Sequence, residues 1–141
     1  MLMNNDTSPV KPVPVVAPWA RPFWDAAREG RLILQHCKNC DRVIHYPRVA
    51  CPHCSSTDLD WQPASGLGTI YSWTEVQSNA PSAFAGDVPY VVAVIRLAEG
   101  VHMLSNVIEC DHDELVCDLP VEVVFERLND EFSLPKFRPV H

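Results

Sequence analysis

The sequence predicts a mostly β chain with a short N-terminal helix, a ribbon closed by cysteines, and a small barrel. Three observations carry that prediction. One apolar stripe at helical spacing lies before Gly30, and no helical period of any length follows it. Four of the six cysteines fall in residues 37–54, as two Cys-x-x-Cys pairs. Beyond residue 63, short segments rich in β-branched and aromatic residues alternate with turn signals.

The elements follow in chain order. Residues 1–18 carry four prolines. Proline fixes φ and removes a donor, so this stretch is expected to be a flexible leader. Residues 19–35 hold the helix and a lead-in strand. Trp19, Phe23 and Ala27 recur at i, i+4 and i+8 in "WARPFWDAAREGR". Pro22 suits a first helical turn, and Gly30 reads as the stop. "RLILQHC" then runs as a strand into the first cysteine pair. Residues 36–62 form the ribbon, and "SSTDLDWQPASGLG", which follows Cys54 and runs on into the next domain, reads as turn-rich.

Residues 63–141 form the barrel domain. "TIYSWTEVQ", "YVVAVIRLA", "HMLSNVIE" and "VEVVFERL" are four strand candidates, separated by "GDVP", "AEG" and "CDLP". "YVVAVIRL" is apolar on both faces until Arg96, which marks a central strand. In "VEVVFE", Val121, Val123 and Phe125 share one face. Several short strands in so few residues suggest a small barrel.

Composition narrows the function. The chain has 141 residues, 47% of them hydrophobic, enough for an ordinary core. The net charge is −7, unevenly spread. From Arg21 to Arg48 there are six basic and three acidic residues, and from Val49 onward four basic and fourteen acidic ones. A mildly basic front end therefore precedes an acidic body. No apolar run approaches a membrane span, and the N-terminus lacks the pattern of a secretory signal. A cytoplasmic protein with reduced thiols is expected.

The spacing Cys37-x2-Cys40-x10-Cys51-x2-Cys54 suits one tetrahedral ion. Two intervening residues let a tight turn present both sulfurs of a pair. The ten-residue linker lets a hairpin bring the second turn opposite the first. Structural Zn²⁺ is the first reading, with one ion per chain. An iron–sulfur centre is the second, although its cysteines usually cluster more closely. Disulfides conflict with a reducing compartment, and a thioredoxin-like site lacks its βαβ setting. His36 and His53 flank the sulfurs as hydrogen-bonding neighbours rather than ligands. Cys110 and Cys117 lie near strand ends, as small buried hydrophobes do. His112 stands two residues from Cys110, but the acidic "DHDEL" would raise the thiol pKa and oppose catalysis there.

Read in order, these stretches resemble the DUF35 family of bacterial and archaeal proteins. The resemblance rests on "PFWDAAREGRL", "C-x-x-C…YPR…CPHC", "SGLGTIYSWTEV", "PYVVAVIRLAEG", "LPVEVVFE" and "LPKFRPV", spanning residues 19–139. It implies a rubredoxin-like zinc ribbon and a five-stranded OB-fold barrel. Such proteins commonly accompany thiolases, lipid-transfer-protein-type aldolases or acyltransferases that use CoA thioesters. The family often has Gly after each cysteine pair, where Asp41 and Ser55 stand here, and another where Asp118 stands. Those positions favour φ > 0.

An accessory, acyl-CoA-associated role beside a thiolase-like partner in a hetero-oligomer is the leading functional expectation. No catalytic residues carry over from the resemblance, and the sequence has no G-x-S-x-G stretch or Gly-rich phosphate loop. Arg48, Arg42 and Lys38 are candidates for the CoA phosphates. Trp19, Phe23, Trp24 and Trp73 are candidates for an acyl or partner surface. The alternative is a single-stranded nucleic-acid binder, since zinc ribbons and OB barrels both serve that role. The acidic barrel opposes it.

Overall fold

The structure is a computed structural model that describes residues 10–140. Residues 1–9 of the predicted leader lie outside the described residues. Val10–Ala17 contains no regular element and lies along the barrel. Its Lys11 pairs with Asp87 at 2.6 Å and sits 5.7 Å from the Phe84 ring centroid.

A 3₁₀ turn at Pro18–Ala20 leads into α1, Arg21–Arg28, with Pro22 in its first turn. The Gly30 amide closes the helix onto the Ala27 carbonyl at 2.9 Å, and Gly30 takes φ +77°. That left-handed conformation suits glycine best. Phe23, Ala26 and Ala27 face inward. Trp19 was expected on the same stripe but stays 48% exposed, because it lies in the tighter 3₁₀ turn.

Three strands make the ribbon sheet: β1 (Ile33–Cys37), β2 (Val43–Ile44) and β3 (Leu59–Pro63). The order is β2-β1-β3, all antiparallel. β3 corrects the sequence reading, which took its residues for turns. Only Leu59 and Trp61 look strand-like there, among Asp60, Gln62 and Pro63. Continuous pairing with β1, from Ile33↔Pro63 to Cys37↔Leu59, makes the strand.

The barrel holds β4 (Leu67–Val76), β5 (Tyr90–Leu97), β6 (His102–Val107), β7 (Pro120–Arg127) and β8 (Ser133–Pro139). It closes in the order β4-β5-β6-β8-β7, and β4 pairs with both β5 and β7. An irregularity between Ile70 and Ser72 lets this long strand bend. β5 is central, as its two apolar faces predict. β8 was not among the four strands read from side-chain pattern, because Pro135 and Pro139 interrupt it. It nonetheless pairs with β7 from Arg127↔Ser133 to Val121↔Pro139. Against β6 it makes only one parallel pair, Val107↔Phe137. The β6–β8 seam is thus the weakly paired side of the barrel.

One core cluster unites these parts. It includes Phe23 from α1 and Leu32 and Leu34 from the base of the ribbon. They join Ile70, Val91, Ile95, Val121 and Phe137 of the barrel. The helix and the ribbon base are therefore rooted on the barrel. The distal ribbon has a separate small cluster of Cys37, Ile44 and Cys51. No helix among the described residues is long and apolar enough to cross a membrane.

Candidate metal centre and the adjoining cavity

Two backbone loops of equal design present the cysteines. In the first, the Asp41 amide donates to the Cys37 carbonyl at 2.8 Å and the Cys37 amide to the Arg42 carbonyl at 2.9 Å. In the second, the Ser55 amide donates to Cys51 and the Cys51 amide to Ser56, both at 2.8 Å. Each loop turns back through a left-handed residue, Asp41 at φ +61° and Ser55 at φ +67°. These are two of the three positions where the sequence departs from the glycine common in the family it resembles. Asp118, the third such position, also takes φ +68°, and its amide donates to the Ile70 carbonyl at 2.8 Å.

The loops bring all four Sγ atoms within 4.8 Å of one another. Cys37 and Cys54 are 3.5 Å apart, and Cys40 and Cys51 are 3.6 Å apart. A tetrahedron with metal–sulfur bonds of about 2.3 Å has edges near 3.8 Å. A disulfide needs about 2.05 Å. The arrangement fits one ion held by four thiolates, and no disulfide. Amides of Cys40 and His53 donate to Cys37 Sγ and Cys51 Sγ at 3.5 and 3.3 Å, as a bound thiolate requires. Donation from the Asn39 side chain leads in holding Cys54 at about 6, while burial pushes Cys40 up to about 12. A central cation would bring both to the thiolate form.

His36 is buried beside Cys37 and is not among the four ligands. Its Nε2 lies 2.6 Å from Asp41 and its Nδ1 2.8 Å from Asp60. Two carboxylates only accept, so both ring nitrogens donate, and the pKa rises, with Asp41 the larger cause. His53 meets Arg42 at 3.0 Å on the exposed rim. Gln35 ties the far side of the ribbon: its amide donates to the Arg48 carbonyl at 2.8 Å, and its Oε1 accepts the Arg48 amide at 2.7 Å. Lys38, Arg42 and Arg48 are all exposed on the ribbon.

The aromatic candidates separate. Trp19, Phe23 and Trp24 line one cavity of about 420 Å³, where leader, α1, ribbon and barrel meet. Tyr46 closes it from the ribbon, and Met103 and Leu134 from the two sides of the barrel seam. Trp24 also packs edge-on against Phe23 and Phe132. Trp73 lies on β4 and is not part of that lining. The Tyr46 hydroxyl accepts the Leu104 amide at 3.0 Å, joining ribbon to barrel across 58 positions of chain.

His45, which the sequence did not single out, also lines the cavity. Burial lowers its pKa to about 4. His112 is engaged by Glu75 at 2.5 Å. Burial, then Glu114 and Asp111, raise the Cys110 thiol, as the acidic surroundings predict.

Comparison with known proteins agrees with this geometry. Residues 24–60 match "ChsH2, rubredoxin-like zinc ribbon domain", and residues 61–126 match "ChsH2, C-terminal OB-fold domain". A DUF35 domain-containing scaffold protein of Methanocaldococcus jannaschii is 34% identical over 101 residues, 71% of each chain. A probable enoyl-CoA hydratase alpha subunit of Thermomonospora curvata is 36% identical over 83% of this chain. The chain spans only 36% of that subunit's length. Among solved structures, a chain of the Ltp2-ChsH2(DUF35) aldolase superposes with a TM-score of 0.82 at 33% identity. That match covers 90% of this chain and 98% of the other.

Proposed function

We propose that this chain, which belongs to the DUF35 family, is an accessory, acyl-CoA-associated subunit of a thiolase-like enzyme. The observation that carries this reading is the match to the Ltp2-ChsH2(DUF35) aldolase chain, which extends over nearly all of both chains. The partner is a thiolase, a lipid-transfer-protein-type aldolase or an acyltransferase, working in the cytoplasm. Its stable two-fold dimer offers equivalent faces to two copies of this chain, so the assembly is a heterotetramer. The partner supplies the catalytic groups, and this chain shapes the mouth of the CoA-thioester site.

The metal is a single structural Zn²⁺ held by Cys37, Cys40, Cys51 and Cys54. Bound there, it supplies a structural tie with no open coordination position. The ribbon it holds presents Lys38, Arg42 and Arg48, whose charges suit the phosphates of CoA. Arg48 is the first of these. Gln35 pins its backbone on both sides, so the guanidinium projects from a fixed point. Trp19, beside the cavity, and Trp73, on the barrel, offer apolar area to the partner.

The test is co-expression with a thiolase-like partner, followed by mass measurement and assay of CoA-ester turnover. We expect a two-plus-two complex, with turnover that falls at least tenfold without this chain. Arg48→Glu should raise KM for the CoA ester with zinc content unchanged. A partner fully active alone removes the accessory role. Unchanged KM in a zinc-loaded Arg48→Glu complex removes the phosphate contact.

A further inference from the structure

One outer face of the barrel gathers exposed aromatic and apolar side chains around a single cation. On β5, Val91, Ala93, Ile95 and Leu97 point into the core, so Val94 and Arg96 point outward. Val94 pairs with Ser72 of β4 and Leu104 of β6, and Arg96 pairs with His102 of β6. Tyr71, at the irregularity of β4, reaches the same face. Its ring lies 4.5 Å from that of His102, and the Arg96 guanidinium stands over it at 4.9 Å. Leu104 is 58% exposed and Tyr71 49%. Tyr46, the ribbon's exposed tyrosine, accepts the Leu104 amide and continues the patch onto the ribbon. Exposed apolar side chains scattered singly need no explanation, but a contiguous set does.

Charge singles out the same face. From Val49 onward the sequence has four basic residues against fourteen acidic ones. Three of the four are held by carboxylates: Arg127 by Asp130, Lys136 by Glu126, and Arg138 by Glu122 and Glu109. Among the described residues Arg96 has no such partner and rests on the Tyr71 ring instead. Neither β5 nor β6 contains an acidic residue, and Glu75, the one acid of β4, is taken by His112. An acidic barrel thus keeps one face free of carboxylates, with a pre-positioned guanidinium in the middle of it.

We propose that this face docks the partner enzyme, with Arg96 receiving a carboxylate of that protein and its apolar side chains covering Tyr71, His102 and Leu104. The inference rests on the accessory role proposed above and assigns it a surface. Tyrosine and arginine at the centre of an apolar patch are the residues that carry most of the binding energy in protein interfaces. A guanidinium already held on an aromatic ring loses little freedom when a carboxylate meets its N–H groups, and it can meet that carboxylate in a two-pronged fashion. A nucleic acid fits the face less well, because a polyanion needs several cations along its track and finds one here on an acidic barrel. The surface also orders the assembly. Arg48 lies two residues beyond Tyr46, so docking through Leu104 and Tyr46 brings the ribbon's cation to the partner as well.

The experiment uses the full, zinc-loaded chain with the co-expressed thiolase-like partner, and reads the dissociation constant of the complex. Arg96→Glu and Leu104→Asp should each weaken it by about tenfold or more. Arg127→Glu reverses a barrel arginine that already has its own carboxylate, and should leave the constant within about twofold. Zinc content and the dispersion of the barrel amide resonances should match the unmodified chain in all three, since Arg96, Leu104 and Arg127 are exposed. Raising the salt should weaken the unmodified complex more than that of Arg96→Gln, because the variant has lost the ion pair. An unchanged constant in both Arg96→Glu and Leu104→Asp would remove this face while leaving the accessory role intact. Equal weakening by Arg127→Glu would show a general effect of charge and overturn the assignment. Single-stranded oligothymidylate that binds the chain alone at physiological salt, and is lost in Arg96→Glu, would give the face to nucleic acid instead. Failure of the unmodified chain to form any complex would remove the accessory role and this surface with it.

Discussion

The distal ribbon and the barrel hold their strands together by different means. The barrel and the elements rooted on it share thirteen buried apolar residues, with Phe137, Ile70, Ile95 and Val121 fully enclosed. The distal ribbon buries Cys37, Ile44 and Cys51, packed against Cys40 and Leu59. Three of those five are metal-ligand candidates. β1 passes from one regime to the other within three residues, from Leu34 in the main core to Cys37 in the small one. The barrel's stability should therefore be spread over many contacts, and the ribbon's concentrated in one ion.

The largest effect follows from removing that ion. Structural zinc of this type contributes roughly 10–16 kcal/mol of apparent binding free energy, far more than five partly apolar residues supply. Cys37→Ser, or a strong chelator, should collapse the amide resonances of residues 37–60 and abolish stoichiometric zinc. Resonances of β4 to β8 should keep their dispersion. Collapse of both sets together would mean that ribbon and barrel are one cooperative unit. Iron as the dominant metal, or a ribbon intact without metal, would refute the zinc assignment itself.

The reciprocal experiment is smaller and falls on the barrel. Phe137 is fully buried at the β6–β8 seam, where backbone pairing is weakest. Phe137→Ala should cost about 3–5 kcal/mol. Urea denaturation should report this loss while elemental analysis still finds one zinc per chain. Loss of zinc in that variant would show that the ribbon depends on the barrel core through Leu32 and Leu34.

Two histidines sharpen the comparison through pH. His45, in the cavity, has its pKa lowered by burial to about 4. The unfolded ring takes its proton near pH 6.5, and the folded ring resists until about 4. The unfolded state therefore binds more protons in that window, and stability falls as pH drops through it, by about 3 kcal/mol in all. His45→Phe should remove this slope. His36, in the ribbon, has its pKa raised by Asp41 and Asp60. Its contribution is fully present below about 6.5 and is lost as pH rises through the folded value. Denaturation curves from pH 4 to 9 for His45→Phe and His36→Gln separate the two. Identical slopes in both variants would break the assignment.

How much of this was legible depends on how local each signal is. The four thiols announce themselves by spacing alone, and α1 by one stripe and a glycine. Four barrel strands show in their β-branched residues. β8 does not, because Pro135 and Pro139 mask a strand that pairing with β7 sustains. β3 is hidden in the same way by Asp60, Gln62 and Pro63. The cavity was out of reach for a different reason. Its walls come from the leader, α1, the ribbon and both sides of the barrel seam, so no window of sequence contains it. Grouping Trp73 with Trp19, Phe23 and Trp24 followed residue type, and the fold places Trp73 elsewhere. His45 has no local mark, since a lone histidine in "RVIHYPR" looks like any other.

The smallest effect compares the two halves of the ribbon itself. Asp41 and Ser55 occupy equivalent left-handed positions after their cysteine pairs. Ser55 is there at a cost, because its Cβ crowds the backbone and, among the described residues, its side chain makes no hydrogen bond that offsets the strain. Ser55→Gly should therefore stabilise the ribbon by about 0.5–1 kcal/mol, the relief of strain less the entropy that glycine adds to the unfolded chain. Asp41 differs, because its carboxylate accepts from His36 at 2.6 Å. That side chain is 92% exposed, so solvent screens the contact and leaves it weak. Asp also tolerates the left-handed region better than Ser. Asp41→Gly should thus be neutral or slightly destabilising, and it should move the His36 pKa downward. Hydrogen exchange of the ribbon amides in zinc-loaded protein measures both changes. Equal stabilisation by both glycines would mean that the His36–Asp41 bond contributes nothing. No change from Ser55→Gly would mean that the second loop carries no strain.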